Sequence, residues 1–549
     1  MDVTESRSLA KRGERKRGAK ITPLDVARIV DEVNDIRAER DIHLETWRQA
    51  VDYTQPDRNI FDGQQAGQER TPDKTFDSYP LDATQRGIGN VLSSLIPVGG
   101  DWAEAVAGHM IPQGQREKLS KGLEVITRQT FDELAASNFY TESHSMAADM
   151  MFATGAMAID YGGPTSPIVC KACPISEVFP SFRMDGTVRA VYREYDCQVR
   201  EITETWPTAT LSPRLVTLAK DKPRAKVRII EASMWSEAGW RFAVIDPESR
   251  VVMFERIDDG PDAPSRWIIA GFYRRPNERY HYGPAVVALP TIRSANKLEE
   301  IDLKAGAKNA APPTLLDARA GMNPHTVRFG PNAVGMFDGA ALQGAAPFHQ
   351  MPPVGMPGWS DAKVDRYHRI IDSIFFATDV IPPVSESRNM TAYEVQVRKQ
   401  MLLLQQGVNL GRLEKELPFA VFRRVVWLLV KHGHIHAPGF AIDGRNFTVE
   451  ARGPLARARD AEKATSTLMV VSQSRSALGD QMTALGIKVE DVAARAAEMS
   501  PDFPTDLIRD QGEREELQKQ AASVAAAQAA GGDPTMAQSV LPGGSGPLQ

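Results

Sequence analysis

The sequence predicts a mostly helical α+β protein, and three observations carry the prediction. Apolar residues recur at helical spacing over 24–53, 285–309 and 361–428. Between about 158 and 275 the pattern shifts to short β-branched and aromatic runs cut by Gly, Pro and Asp turns, the mark of antiparallel sheet. Finally, the helical stretch at 361–378 is broken by Asp379-Val-Ile-Pro-Pro-Val-Ser-Glu-Ser-Arg-Asn389, where Pro382 and Pro383 lack donor N–H groups and restrict the residues before them.

Each element follows in order. Residues 1–20 carry Lys11, Arg12, Arg15, Lys16, Arg17 and Lys20 and read as a disordered basic arm. Val26, Ile29, Val33 and Ile36, with Trp47 and Val51 on the same side, give a helix to about residue 53, and 57–75 reads as a loop. A capped helix from Phe76 is stopped by Pro97, with a Gly99-Gly100 turn before Trp102. Helices at about 114–137 and 141–155 complete a helical stretch that the sequence carries to residue 157. Strands are expected at 187–193, 226–230, 241–245 and 266–270, with one helix near 199–206.

A helix at 285–309, softened at its start by Pro290, shows the loose stripe Ile292, Ala295, Leu298, Ile301 and Ala305. About 20 such residues span about 30 Å. Residues 311–358 are dense in Pro, Gly and Ala, with β-like pieces at 314–316 and 333–337. The next helix carries Val364, Tyr367, Ile371, Ile374 and Thr378. After the proline loop, Thr391 with Glu394 three residues on forms a capping box. A long helical pattern continues through Leu413, Leu417, Val421, Val425 and Leu428, with Gly407, Gly411 and Pro418 as bending points. A strand at 447–451 and helices to about 525 come after, then an Ala/Gln- and Gly/Pro-rich disordered tail.

Composition narrows the function classes. The 549 residues suffice for three or four units of ~150 residues, and 42% hydrophobic with 25% charged residues is ordinary for a globular chain. A net charge of −5 argues against coating nucleic acid by bulk positive charge. Three cysteines form no disulfide framework and suit a reducing compartment. No apolar run of ~18 residues or signal-peptide core is found, so a soluble, cytosolic chain without membrane contact is expected.

Catalytic signatures are missing. There is no Gly-x-x-x-x-Gly-Lys-[Ser/Thr] loop, and Gly87-Ile-Gly89 lies inside a helix. Cys170-Lys-Ala-Cys173 is half a zinc pattern with no second pair, and Cys197 does not complete it. His432, His434 and His436 beside a glycine read as a polar turn. Glu299, Glu300 and Asp302 read as a solvated helix face. No enzyme, cofactor or metal is expected.

The order of these elements resembles the head-to-tail connector, or portal, proteins of short-tailed (podovirus-type) bacteriophages. The resemblance covers roughly 24–470. It rests on Phe76-Asp-Ser with Leu92-Ser-Ser-Leu-Ile-Pro97 and Trp102, on Phe152-Ala-Thr-Gly-Ala-Met-Ala-Ile159, and on Tyr280-His-Tyr-Gly-Pro-Ala285. Pro382-Pro383 with Met390-Thr-Ala-Tyr-Glu-Val395, Arg412-Leu-Glu-Lys-Glu-Leu-Pro418 and Pro454-Leu-Ala-Arg-Ala458 complete it. The resemblance implies a wing at 21–284, stem helices at 285–310 and 361–378, and a clip at 311–358. It further implies a tunnel loop at 379–390, a kinked helix and returning strand at 391–454, and a crown at 455–525 before the tail at 526–549.

It implies, too, a homo-oligomeric ring, usually of twelve subunits, at one capsid vertex of a virion assembled in the host cytoplasm. Double-stranded DNA would pass through it without sequence specificity. The major capsid protein, scaffolding protein, terminase large subunit and tail adaptors would be its partners. Ser385, Arg388, Asn389 and Lys399 are the implied DNA-channel residues. The alternatives are another virion structural protein, such as a head-completion or tail-tube adaptor, and an intracellular hydrolase with an unrecognised site.

Overall fold

The computed structural model describes residues 24–58, 61, 75–108, 111, 113–257, 263–276, 278–310, 314–316, 348–350, 361–377, 411–435, 447–454, 456, 463 and 466–476. The arm at 1–20, the β-like piece at 333–337, the loop at 379–390, the capping box at Thr391, His436 and the tail at 526–549 fall outside them. Two compact units divide the chain, Met1–Pro454 and Leu455–Gln549. In the second, 466–476 is helical.

The first unit opens with helix α1 (Val26–Thr54), capped by Asp25, whose carboxylate accepts from Arg28 N at 3.2 Å. Its Ile29, Val33, Ile36, Trp47 and Val51 are buried, as the spacing predicts. Helix α2 (Tyr79–Leu95) has Pro80 in its first turn, where a missing N–H is harmless. Strand β1 (Ala103–Ala107), helix α3 (Gln113–Ala136) and helix α4 (Phe139–Met150) follow. The expected helix at 141–155 is therefore five residues too long at its end, and the helical stretch does not reach 157. Met157 lies in strand β2 (Gly155–Tyr161), because it is paired on both sides, with Ala172 and Ile268, and Gly155 packs so closely on the preceding helix that a Cβ there would meet Met150 Cγ at 2.5 Å and Met146 O at 2.8 Å.

The β-rich region is larger than its sequence runs suggest. Strands β3 (Ile168–Cys173), β4 (Val178–Phe182) and β5 (Val188–Gln198) lead to helices α5 (Val199–Thr205) and α6 (Pro213–Asp221). Strands β6 (Lys226–Ser236), β7 (Gly239–Asp246), β8 (Val251–Ile257) and β9 (Trp267–Ala270) follow. They form a five-stranded antiparallel sheet in the order β4-β5-β6-β7-β8 and a three-stranded sheet β3-β2-β9. Ala156, Ala158, Cys173, Val178, Val191, Trp267 and Ile269 make one apolar cluster shared by the two sheets. The second helix, α6, escaped the sequence reading because its nine residues give too short a periodic pattern.

The outer edge of β3 is closed by side chains. Asn138 accepts from Cys170 N at 2.9 Å and donates to Cys170 O at 2.7 Å, while Glu142 accepts from Ala172 N at 2.6 Å. Helix α1 is lashed to β4 and β5: Glu32 accepts from Ser181 Oγ and Tyr192 Oη at 2.9 Å each, and Arg37 pairs with Glu194.

Helix α7 (Pro284–Ala310) runs 27 residues, about 40 Å, and continues through Pro290. Strands β10 (Thr314–Leu316) and β11 (Phe348–Gln350) pair antiparallel, and helix α8 (Asp361–Phe375) packs on α7. A helical stretch at 411–416 is broken at Leu417 before Pro418 opens helix α9 (Pro418–Lys431). Leu413, Leu417, Val421, Val425 and Leu428 are all buried. Strand β12 (Phe447–Ala451) pairs antiparallel with β1, a partner that the alanine-rich 103–107 does not advertise.

Two sequence features, the cysteines and the described histidines of the 432–436 turn, are engaged in packing. Cys170, Cys173 and Cys197 are buried free thiols, the first two pushed up to about 12 and the third to about 11, first of all by burial. His432 stacks on Tyr161 with ring centres 3.6 Å apart, and His434 Nε2 lies 3.2 Å from Tyr161 Oη. Among the described residues no group of His, Cys, Asp and Glu is arranged to hold a metal, and no helix is long and apolar enough to cross a membrane.

Arg424 ties α9 to the three-stranded sheet. It is fully buried, donates to Ile159 O at 3.2 Å and Pro264 O at 3.0 Å, and approaches Asp160 at 3.8 Å. Asp160 also meets Arg266 at 2.6 Å, and Arg266 reaches Glu231 at 3.2 Å. Burial opposes the Asp160 charge, but Arg266, Arg424 and Arg256 outweigh it and hold the carboxyl below its usual range. Removing one cation from this site strands two carbonyls and weakens the pairing of Asp160. Arg424→Ala is expected to lower unfolding stability by about 3 kcal/mol in denaturant titrations.

Candidate functional site: the joint that carries segment 378–410

The residues on either side of segment 378–410 converge on one small joint. The joint begins with Asp77, whose buried carboxylate accepts from Tyr79 N at 2.9 Å and meets His368 Nε2 at 3.0 Å. Asn296 of α7 accepts from Phe76 N at 2.6 Å and Asp77 N at 3.1 Å, so the lead-in to α2 is pinned to α7. The Tyr79 ring stacks on His368 at 3.8 Å and 8°, and its hydroxyl donates to Asp372 at 2.5 Å. Burial, and then the Asp372 carboxylate, push the Tyr79 hydroxyl up to about 12.

Arg86 links α2 to the end of α8, with Nε to Asp82 at 2.8 Å, Nη2 to Asp372 at 3.0 Å and Nη1 to Ala377 O at 2.8 Å. Asn90 donates to Phe376 O at 2.9 Å. The last turn of α8 is thereby held on α2 by its own carbonyls. Gly87 allows the approach, since a Cβ there would stand 2.3 Å from Phe375 O.

Helix α8 ends in a Schellman motif, with Ala377 N donating to Asp372 O at 2.9 Å. The left-handed residue is Phe376 (φ 58°), where glycine is usual. A bulky residue in that conformation costs of order 1 kcal/mol or more and persists only where its surroundings enforce it. Here the Phe376 ring stacks on Phe272 at 5.6 Å and 20°, just beyond β9.

The far side of the segment arrives at the same place. Arg412 donates to Gly271 O at 2.5 Å and Phe272 O at 2.8 Å, and pairs with Glu416 at 2.9 Å. Gly271 is needed because a Cβ would meet His281 Cβ at 2.4 Å. His281 donates its backbone N–H to Thr154 Oγ1 at 2.9 Å. Burial, then Arg412 and Arg274, lower its ring to about 3, so it stays neutral at physiological pH. Tyr273 and Tyr282 exchange backbone hydrogen bonds at 3.1 and 3.0 Å. Gly283 N and Ala285 N donate to Phe152 O at 3.1 Å and Met151 O at 2.8 Å, which docks the start of α7 on the end of α4.

Ser385, Arg388, Asn389 and Lys399, the channel residues drawn from the resemblance, lie outside the described residues. The joint itself escaped the sequence reading. The buried side of α8 is Val364, Ile371 and Phe375, with His368 and Asp372 bonded to α2 along it, rather than the stripe of Val364, Tyr367, Ile371 and Ile374. The signal was present as a polar pair four residues apart, but polar residues on a core face are invisible to apolar periodicity.

A family model described as bacteriophage head to tail connecting protein matches residues 27–507, most of the chain. The chain belongs to that family, and with it takes a general role in building the virion. No curated protein matched it.

Substituting Gly87 tests the joint directly. Gly87→Ala must push the last turn of α8 away from α2, and is expected to lower stability by about 1–3 kcal/mol in denaturant titrations despite alanine's better helix propensity.

Proposed function

We propose that this protein is the portal subunit of a short-tailed bacteriophage. Copies form a ring, of twelve subunits in this reading, at the unique capsid vertex. Double-stranded DNA is packaged and later ejected through its centre. The ring serves as the docking site for the terminase large subunit and the tail adaptors, and sits among major capsid and scaffolding proteins. In this reading 21–284 is the wing, α7 and α8 are the stem, and β10 and β11 belong to the clip. Segment 379–390 is the tunnel loop, 391–454 the kinked helix and returning strand, and 455–525 the crown. The protein is not an enzyme and needs no cofactor.

The observation that carries this reading is the family match across 27–507. The joint supports it: a loop that meets moving DNA needs a fixed base, and Phe376, just before the loop, is stacked on Phe272, whose carbonyl also receives Arg412 of the following helical stretch. The distal part of α7 supports it as well. Ile301 and Leu303 are 42% and 57% exposed, more apolar surface than a lone two-helix hairpin covers. A heterologous contact repeated around an axis would bury such a surface.

Negative-stain electron microscopy with light-scattering mass on the same sample tests the assembly. Rings with a central hole and about twelve subunit masses are expected. A compact monomer or dimer that persists with scaffolding protein added would overturn the reading. For the channel, Arg388→Ala/Asn389→Ala is expected to leave ring mass unchanged and to alter DNA packaging or retention. Wild-type packaging and retention in that variant would remove the tunnel-loop assignment.

A further inference from the structure

One face of α7 is basic although the chain as a whole carries a net charge of −5. Arg293, Lys297, Lys304 and Lys308 are all exposed. At 100° per residue they fall within about 60° of one another and extend along about 22 Å of helix. Lys297 and Lys304 keep 65% and 66% of their side-chain surface in solvent.

Of the three acidic residues of α7, only Glu300 lies on this face. Glu299 and Asp302 project elsewhere around the helix, and Glu299 is within electrostatic reach of His368 and Asp361 of α8. Glu300, the one carboxylate on the basic side, is bracketed by Lys297 at 2.8 Å and by Lys304. Hydrogen bonds from those two lysines draw its carboxyl down to about 2, so it stays ionised and offsets a single charge.

We propose that this stripe of α7 is a contact surface for the phosphate backbone of double-stranded DNA, additional to the segment 379–390. The inference rests on the portal reading and adds to it a second set of contacts along the stem. Three features favour a polyanion over a protein partner. Protein–protein interfaces are depleted in lysine and enriched in arginine and aromatic residues, whereas three of these four cations are lysines. Lysine presents a point charge on a pliable stem, without the planar fork that fixes geometry at a specific contact. Exposed, hydrated charges attract weakly at physiological salt, and that suits a polymer that has to move past them.

The test compares the wild-type assembly with Lys297→Gln/Lys304→Gln/Lys308→Gln, using fluorescence anisotropy of labelled linear duplex DNA over a range of salt concentrations. Each lost phosphate contact removes about 0.9 from the slope of log K against log salt, so a decrease of ~3 is expected, alike for unrelated DNA sequences. A triple Lys→Arg variant should retain the wild-type slope. An unchanged slope in the glutamine variant overturns the inference. So does loss of assembly mass in that variant alone, which would make the stripe a contact between protein subunits. The portal reading is judged separately, by whether the wild-type protein forms rings, and the stripe by the slope.

Discussion

The Gly271–Phe272 dipeptide is the point on which the first unit depends. Its two carbonyls receive Arg412, its phenyl ring receives Phe376, and its glycine leaves room for His281. Five parts of the chain meet there: the end of β9, the lead-in to α7, the end of α8, the helical stretch 411–416, and, through Thr154 and His281, the link between α4 and β2. None of these contacts is strong alone. Together they place a left-handed phenylalanine and an arginine fork against one peptide.

A second layer of positioning is ionic. Buried Arg424 and Arg193 and nearly buried Arg266 meet buried Glu231 and half-buried Asp160 and Glu177, so α9, the three-stranded sheet and β5 are fixed in relation to one another. Such networks are poor sources of net stability, since desolvation offsets most of the attraction. Their effect is on specificity of arrangement. An α9 shifted by one turn would leave the Arg424 guanidinium buried without the carbonyls of Ile159 and Pro264.

Much of this was legible in the sequence, for physical reasons that differ by element. Long helices declared themselves, as α1 did through Ile29, Val33 and Ile36, because an amphipathic stripe must be buried. Strands with β-branched runs, such as β6, did so too. The missed pieces share one cause, the absence of local pattern. Strand β1 is Ala-Glu-Ala-Val-Ala and gains its identity only from β12, more than three hundred residues later. Met157 sits among small and flexible residues that read as helix, and is a strand residue only through its pairing with Ala172 and Ile268. The joint combines polar residues from α2, α7, α8 and the helical stretch 411–416, and each looks like ordinary surface until the fold brings them together. The chain's family, by contrast, was legible from the order of short motifs.

The sealed edge of β3 has a consequence beyond the single chain. An uncovered strand edge is a template that any extended polypeptide can copy, and the hazard grows with local concentration. Asn138 closes it with a side-chain amide that imitates a neighbouring peptide, offering one donor and one acceptor at Cys170, while Glu142 occupies the next amide. The sheet therefore ends without proline, without a bulge and without a further strand. Crowded newly made copies find no ladder to extend on that side, and must recognise one another by the shapes and charges of folded surfaces instead.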